Sequence, residues 1–522
     1  MRILTALVLF MGLSAWAPAQ LAGMYTINPI LPASATNFVS LLAAVQALNT
    51  SGVSGPVTFD IFDDAGPYNE THPFVTASGQ YVPSNAVLTM QTWIGSSAAN
   101  RVTFRAGPGE SPVFDATGRG MGVFWGGADY VTLEGIEIRN APFDGVSLYS
   151  EASHTQAFSP VIRRCNIHDC GGAGVCIYGN SSRPQNTLIE NNFFWRLQLT
   201  NAGAFNTTAR FGYVSGRRHD FSRLINNTFH VSTGAGGSFC VIGDLPSGGT
   251  GSHFTEVSNN IVVKTVSPTR PVYSFPDNPA LTSGIPAILN ANCYLDLTGT
   301  SFSTGSVVSV NFAAWQAASG RDALSLSADP LLVNPAVGDL HLSGGSPCIN
   351  MSALPSGVTN DIDGDPRTGV PDVGADEASC SPTQYQTNST ASYLDINGVQ
   401  GFSCAPAVTV MSQATTGTAN FWSSNIGFGW ETIIAVAPSI PLSAGALQTG
   451  TAQLLNINVA APVLVFVNGG ALPNFSNPFL GNFAVSFTTP SIAIILSMQM
   501  ANIDPTNLDG FVLSQACQLT VL

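Results

Sequence analysis

The sequence is almost without lysine. Of its 17 basic residues only Lys264 is a lysine, and no Lys or Arg follows Arg367. Against 31 acidic residues this leaves a net charge of −14. A chain so poor in cations has no patch to neutralise a row of phosphates, so no nucleic-acid partner is expected. Charge of either sign is scarce as well. Charged residues make up 9% and hydrophobic ones 45%, which excludes disorder, since disorder needs the opposite balance. Long apolar runs are missing too. Ile3–Leu13 and Ile492–Met500 are each too short to cross a bilayer, so no transmembrane segment is expected. Cysteine is present but odd in number, at nine, so at least one thiol is left unpaired or bonds another chain.

What the sequence does contain is glycine, proline and a repeat. Its 52 Gly and 33 Pro mark turn-rich β material. Six segments can be laid over one another: LEGIEIRN from Leu133, IRRCNIHD from Ile162, IENNFFWR from Ile189, LINNTFHV from Leu224, VSNNIVVK from Val257 and LNANCYLD from Leu289. Each opens on an aliphatic residue. Five places on stands another apolar or aromatic one: Ile138, Ile167, Phe194, Phe229, Val262 and Tyr294. Four carry Asn at the fourth place: Asn192, Asn227, Asn260 and Asn292. Starts 27 to 35 residues apart signal a solenoid, and an apolar period of two makes its units strands. Further strands fit at Val146, Val175, Phe239, Val272 and Val307, so the fold class is an all-β right-handed parallel β-helix with two or three strands per coil. Stacked at a corner, the Asn side chains can bond one another along the ladder, and Asn tolerates the left-handed backbone of a tight corner.

The spacing of Phe38, Leu41, Leu42, Val45 and Leu48 predicts a helix over Thr36–Asn49, capped by Thr36 and ended by Gly52. Laid over the open end of the solenoid, it serves as the N-terminal cap. A helical scrap is expected at Phe312–Ala318. Arg2, the apolar run Ile3–Leu13 and Ala17-Pro18-Ala19 predict a signal peptide over 1–19 and a secreted, extracellular or cell-surface protein. The solenoid then occupies 20–378. From Ser379 to Leu522, short alternating strands between Pro and Gly read as a small β-sandwich that anchors, sorts or binds. Cys380 and Cys404 flank its start and are the expected disulfide, while Cys165 and Cys176 read as small buried residues.

The stretch from Asp329 to Glu377 carries a resemblance. DPLLVNPAVGDLHLSGGSPCIN, DIDGDPRTG and DVGADE stand in the order of the closing segment of bacterial secreted right-handed β-helix proteins of the pectate-lyase-like superfamily. Gly66, Tyr68 and Glu70 are similar to the strand-and-turn near their start. The match runs from about Met24 to Glu377. It implies the fold, while the activity stays open, because that superfamily includes lyases, hydrolases, epimerases and proteins of no known activity. The C-terminal part resembles modules attached to exported proteins of planctomycete-type bacteria.

Chemistry of that kind needs particular residues. A uronate lyase needs a base and a cation beside the sugar carboxylate. Arg217, Arg218 and His219, with His230 on the next strand, are the candidates, although a solvated loop patch is the stronger reading of them. A hydrolase needs carboxylates about the glycosidic bond. Asp169, with His168 beside it and Asp144 one coil earlier, is nearest, although the multi-Asp and Gly-His-Gly signatures of polygalacturonase-like enzymes are absent. Tyr149 and Tyr178 lie at equivalent strand ends, where a stacked pair would suit a sugar. Asp361, Asp363 and Asp365 alternate around Gly364 as hard calcium ligands do, but Pro366 and Asp372 stand where an EF-hand loop has its Gly and Glu, so structural turn chemistry is the stronger reading. No other cofactor is implied. The sequence therefore points to a protein that binds, and in one version cleaves, an extracellular uronate-type polysaccharide or cell-surface glycan along the solenoid groove. The alternative is a non-enzymatic adhesive protein with the solenoid as spacer. Function is expected where the repeat breaks, between Leu197 and Leu224, and at the strand ends bearing Tyr149, Asp169 and Tyr178.

Overall fold

The computed structural model describes residues 19–74, 84–150, 157–179, 183–199, 213–217, 219–232, 241–244, 254–265, 271–275, 286–296, 302–304, 308–309, 311–352, 357–367, 370–378, 385–386, 388–389, 391–399, 407–467 and 478–522. Most of the expected signal peptide, Arg218 and the expected Cys380–Cys404 disulfide lie outside them. The chain forms two compact units. One runs to His341 and resumes at Met351–Glu377; the other comprises Leu342–Asn350 and Ala378–Leu522.

The first unit is a right-handed parallel β-helix of three sheets with ten, eight and ten strands. From Val102–Ala106 to Phe302–Thr304 each coil contributes one strand to each sheet. Val161–Arg163, Asn166–Cys170 and Val175–Gly179 form one coil, and Leu188–Glu190, Phe193–Leu197 and Val214–Arg217 the next. The repeat read from the sequence turns the corner between the first two sheets. Its opening residues Leu133, Ile162, Ile189, Leu224, Val257 and Leu289 stack in register inside the first sheet. Ile138, Ile167, Phe194, Phe229, Val262 and Tyr294 do the same inside the second. All twelve are buried, each contributing roughly 1.5–3 kcal/mol of apolar burial. The stretch at Val307 departs from expectation. The strand that continues the third sheet is Phe302–Thr304, and Val308–Ser309 folds back antiparallel on it.

At the corner the two Asn of each pair divide the work. The first stands at positive φ, as Asn191, Asn226 and Asn259 do at 52°, 54° and 55°, with Arg164 and Ala291 in the same place in their coils. The second points inward. Asn192 Nδ2 donates to Asn227 Oδ1 at 2.9 Å, Asn227 to Asn260 at 3.1 Å and Asn260 to Asn292 at 3.1 Å. The ladder ends on Asp322, which accepts from Asn292 at 3.3 Å. Cys165 occupies the ladder position one coil before Asn192 and is buried, as are Cys170 and Cys176.

Both ends of the solenoid core are covered by helices. The first is shorter at its start than expected, Leu41–Ser51, because Asn37–Phe38 pair as strand with Thr26–Ile27. Ser40 caps it, accepting from Ala43 N at 3.0 Å, while the Glu70 carboxylate takes the amides of Leu41 and Leu42 at 2.7 and 2.8 Å. Those contacts satisfy the first orphan donors of the helix. Gly52 ends it at φ 67°, where a Cβ would stand 2.5 Å from Ile94 O. At the other end Phe312–Ser319 buries Trp315, whose Nε1 donates to Asp322 at 2.8 Å.

The second unit is a β-sandwich. Tyr393–Ile396, Thr416–Trp422 and Phe483–Thr488 form an antiparallel sheet. A six-stranded sheet runs through Ile494–Ile503 and Cys517–Val521. Leu394 and Phe421 from the first meet Met500 and Leu519 from the second in one apolar core.

Candidate functional site: an arginine-studded face of the first sheet

Outward positions of a strand alternate with inward ones. On the first sheet the residue following each inner aromatic or aliphatic therefore faces out. Asp60, Arg105, Glu134, Arg163 and Glu190 occupy these positions and stand in one register across five adjacent strands. One coil further the row steps back two residues to Arg223, which pairs in register with Glu256. The sign of charge alternates at every step. Arg105 Nε lies 2.6 Å from Asp60 Oδ1, Arg163 Nη2 2.7 Å from Glu134 Oε2, and Arg223 Nε 2.8 Å from Glu256 Oε2. The pairing is uneven at Arg163, whose Nη1 is 3.9 Å from Glu190.

The two signs do not share the surface equally. The Arg105, Arg163 and Arg223 side chains are 38, 41 and 43% exposed, while the acids beside them, Asp60, Glu134, Glu190 and Glu256, are 9, 13, 12 and 10% exposed. Guanidiniums stand proud and carboxylates are sunk between them. The outermost charged groups of the row are thus guanidiniums, although it holds four acids against three arginines.

Two adjoining clefts open on this face. One, of about 450 Å³, runs from Arg105 along the turn Gly107–Ser111 to Glu134 and Arg164. The other, of about 210 Å³, lies between Glu134, Arg163, Arg164 and Glu190, with Thr359 and Asn360 as its far wall. Arg164 is shared. It sits at the corner with φ 55°, and its guanidinium reaches Glu134 at 3.2 Å and Ile362 O at 3.2 Å. The closing segment is thereby tied to the wall of the cleft. Burial pushes the Glu190 carboxyl above its ordinary range. Glu134 is held by two guanidiniums, those of Arg163 and Arg164.

The residues singled out from the sequence fare differently. His168 and Asp169 lie on the outer face of the second sheet in a closed network. His168 Nδ1 is 2.7 Å from Asp169 and its Nε2 is 3.3 Å from Glu137; Arg196 holds the other Asp169 oxygen at 2.9 Å. The imidazole stacks on Trp195 at 4.4 Å. Asp144 is fully buried, with Oδ1 accepting from Ala173 N at 3.0 Å, so it is a turn residue with no access to a sugar. Tyr149 and Tyr178 do stack, at 5.0 Å and 7°. Tyr149 is nonetheless only 1% exposed, packed with Phe124 and Phe143, which leaves it no open face. His219 is buried, bonded to Ser222 Oγ at 2.7 Å and packed on Phe254, so it is no base for a groove. His230 is buried, and burial pushes its pKa down against a hydrogen bond to the Pro335 backbone. Arg218 and the Arg217 side chain lie outside the described residues.

The three alternating aspartates do not converge. Asp361 accepts the amides of Asp363, Gly364 and Asp365 on one oxygen, at 3.0, 2.9 and 2.8 Å, and of Glu377 on the other at 3.0 Å. Its oxygens thus build a turn. Arg367 pairs with Glu377, at 3.1 Å, rather than with a loop aspartate. Asp363 turns instead to His341, 3.0 Å away, whose other nitrogen is 2.6 Å from Asp339. Among the described residues His341, Asp363 and Asp376 are the group whose ligand atoms come together, within 4.8 Å. The bonds from Asp363 and Asp339 hold the His341 imidazolium up to about 9, so a positive charge already sits among these carboxylates. A raised folded-state pKa gives stability that is full below the ordinary histidine range and is lost as pH rises through about 9. The melting temperature of the solenoid unit is therefore expected to fall between pH 7 and 10, and His341→Gln to flatten that part of the profile. A wild-type and variant profile of the same slope would show that the clamp contributes nothing.

A family described as a right-handed beta helix region matches residues 115–229. Among solved structures the chain is similar to full-length tailspike protein 2 from Escherichia coli O157:H7 bacteriophage CAB120, at 12% identity and a TM-score of 0.21, over 90% of this chain. The chain spans 60% of that tailspike's length. No curated protein matches the sequence.

Proposed function

We propose that this protein is an exported β-helix that binds an acidic polysaccharide lengthwise along its first sheet. The observation that carries the reading is the projection of Arg105, Arg163 and Arg223 above their sunken acidic neighbours. A guanidinium already bonded on one edge keeps donors on the other, and its planar fork fits a sugar carboxylate. The clefts beside Arg105 and Arg163 are open and mainly polar in their lining. The uronate expected from the sequence fits this site better than the Arg217–His219 loop, because His219 is buried. Export rests on the leader read at Arg2–Ala19, and the C-terminal sandwich serves as its attachment module.

Titration calorimetry of the full-length protein against acidic and neutral polysaccharides tests the reading. Acidic polymers are expected to bind and neutral ones not, with affinity falling steeply with salt. Arg163→Gln is expected to weaken binding about tenfold, or ~1.4 kcal/mol, without shifting the melting temperature by more than a few degrees. Salt-independent binding, or an Arg163→Gln affinity equal to wild type, would overturn it.

A further inference from the structure

The order of the charges says more than their number. Over seven consecutive coils the outer face of the first sheet reads Asp60, Arg105, Glu134, Arg163, Glu190, Arg223, Glu256, without two like charges in succession. Neighbouring strands lie about 4.8 Å apart, so exposed guanidiniums recur at roughly 10 Å along the solenoid. A pyranose unit in an extended chain advances by close to one strand spacing. Two such units, and not one, match the step from Arg105 to Arg163.

Resting on the reading that this face binds an acidic polysaccharide, we infer that its ligand is an alternating polymer, with a carboxylated sugar followed by a neutral one. Each carboxylate then lies over an arginine and accepts its free N–H groups. Each neutral sugar lies over Glu134 or Glu190, which take its hydroxyls as donors. A polymer with a carboxylate on every sugar would set each second one against a sunken glutamate. Like charges so placed are a built-in penalty against the wrong ligand. The last pair, Arg223 with Glu256, is set back by two residues along the strand, so the bound chain shifts sideways between Glu190 and Arg223.

The test compares two acidic oligosaccharides of equal length on the full-length protein by calorimetry. One is a hyaluronan oligomer, in which glucuronate alternates with N-acetylglucosamine; the other is an oligogalacturonate, with a carboxylate on every unit. The alternating oligomer is expected to bind about tenfold tighter. In Glu134→Gln and Glu190→Gln the oligogalacturonate is expected to gain affinity and the gap to narrow, a gain that a misfolded variant cannot show. Equal or tighter binding of oligogalacturonate to the wild type, or an unchanged gap in both variants, would overturn the alternation while leaving a polysaccharide-binding face intact. Failure of both oligomers to bind would overturn that reading and the alternation together.

Discussion

Arg367→Ala is expected to lower the stability of the solenoid unit by about 3–5 kcal/mol, the cost of removing one partner from a buried ion pair. The Arg367 side chain is 1% exposed. Nη1 reaches Glu377 at 3.1 Å and Asp372 O at 3.2 Å; Nη2 reaches Gly374 O at 2.8 Å and the corner residue Asn191 at 2.9 Å. One planar group thus gathers the closing segment and fastens it to a coil. Lysine has a single rotating ammonium and no fork, so Arg367→Lys is expected to recover less than half the loss. Calorimetry reads the loss. Limited proteolysis reads its place, with new cuts expected between Gly357 and Glu377. Wild-type melting and no new cuts in Arg367→Ala would show that the segment is held elsewhere.

Asn227→Leu is expected to cost a similar amount, about 4 kcal/mol, although it swaps a side chain for one of similar size. Asn227 Oδ1 accepts both the backbone N and the Nδ2 of Asn192, at 3.0 and 2.9 Å. Its Nδ2 serves Ile189 O, Ile225 O and Asn260 Oδ1, at 3.0, 3.0 and 3.1 Å. Leucine takes away both ends of the rung and leaves donors and carbonyls of three coils buried without it. Each unmatched group costs roughly 1–3 kcal/mol, with some recovery by rearrangement. A denaturant midpoint within a few tenths molar of wild type would refute a structural role for the amide ladder.

These two sites differ in how far the sequence announces them. The ladder is legible because Asn192, Asn227, Asn260 and Asn292 recur at one place between apolar residues of fixed spacing. A side chain held in every coil at the same depth must serve the stack. The start of the first helix is less legible. Thr36 looks like a cap, but pairing with Leu21–Ile27 draws Asn37–Phe38 into a strand, and Ser40 takes over with help from Glu70. That choice is made by a strand and a carboxylate remote in sequence. The charged row was present in the aligned repeats as their second letter: Glu134, Arg163 and Glu190. Its members are separated by whole coils, so reading them as neighbours requires the register. Looking where the repeat breaks led instead to His219, which hydrophobic packing on Phe254 has buried. Breaks in a solenoid mark loops. Here the alternating charged row stands on the outward face of the regular part.

The closing segment changes how this unit comes apart and comes together. A solenoid held only by nearest neighbours behaves as a one-dimensional chain, free to open from any weak rung. Here one late stretch of sequence grips the corner residues of three successive coils. Arg367 takes Asn191, the Asp372 and Gly374 carbonyls take Asn226, and Gly374 N donates to Asn259. The partners are 115 to 176 residues apart in sequence. A ribosome must deliver residues up to about Glu377 before those rungs are locked, so the emerging solenoid passes through a zipped but unfastened stage. Once fastened, the three coils open as a block, and the unit gains an all-or-none transition that stacking alone would not give it.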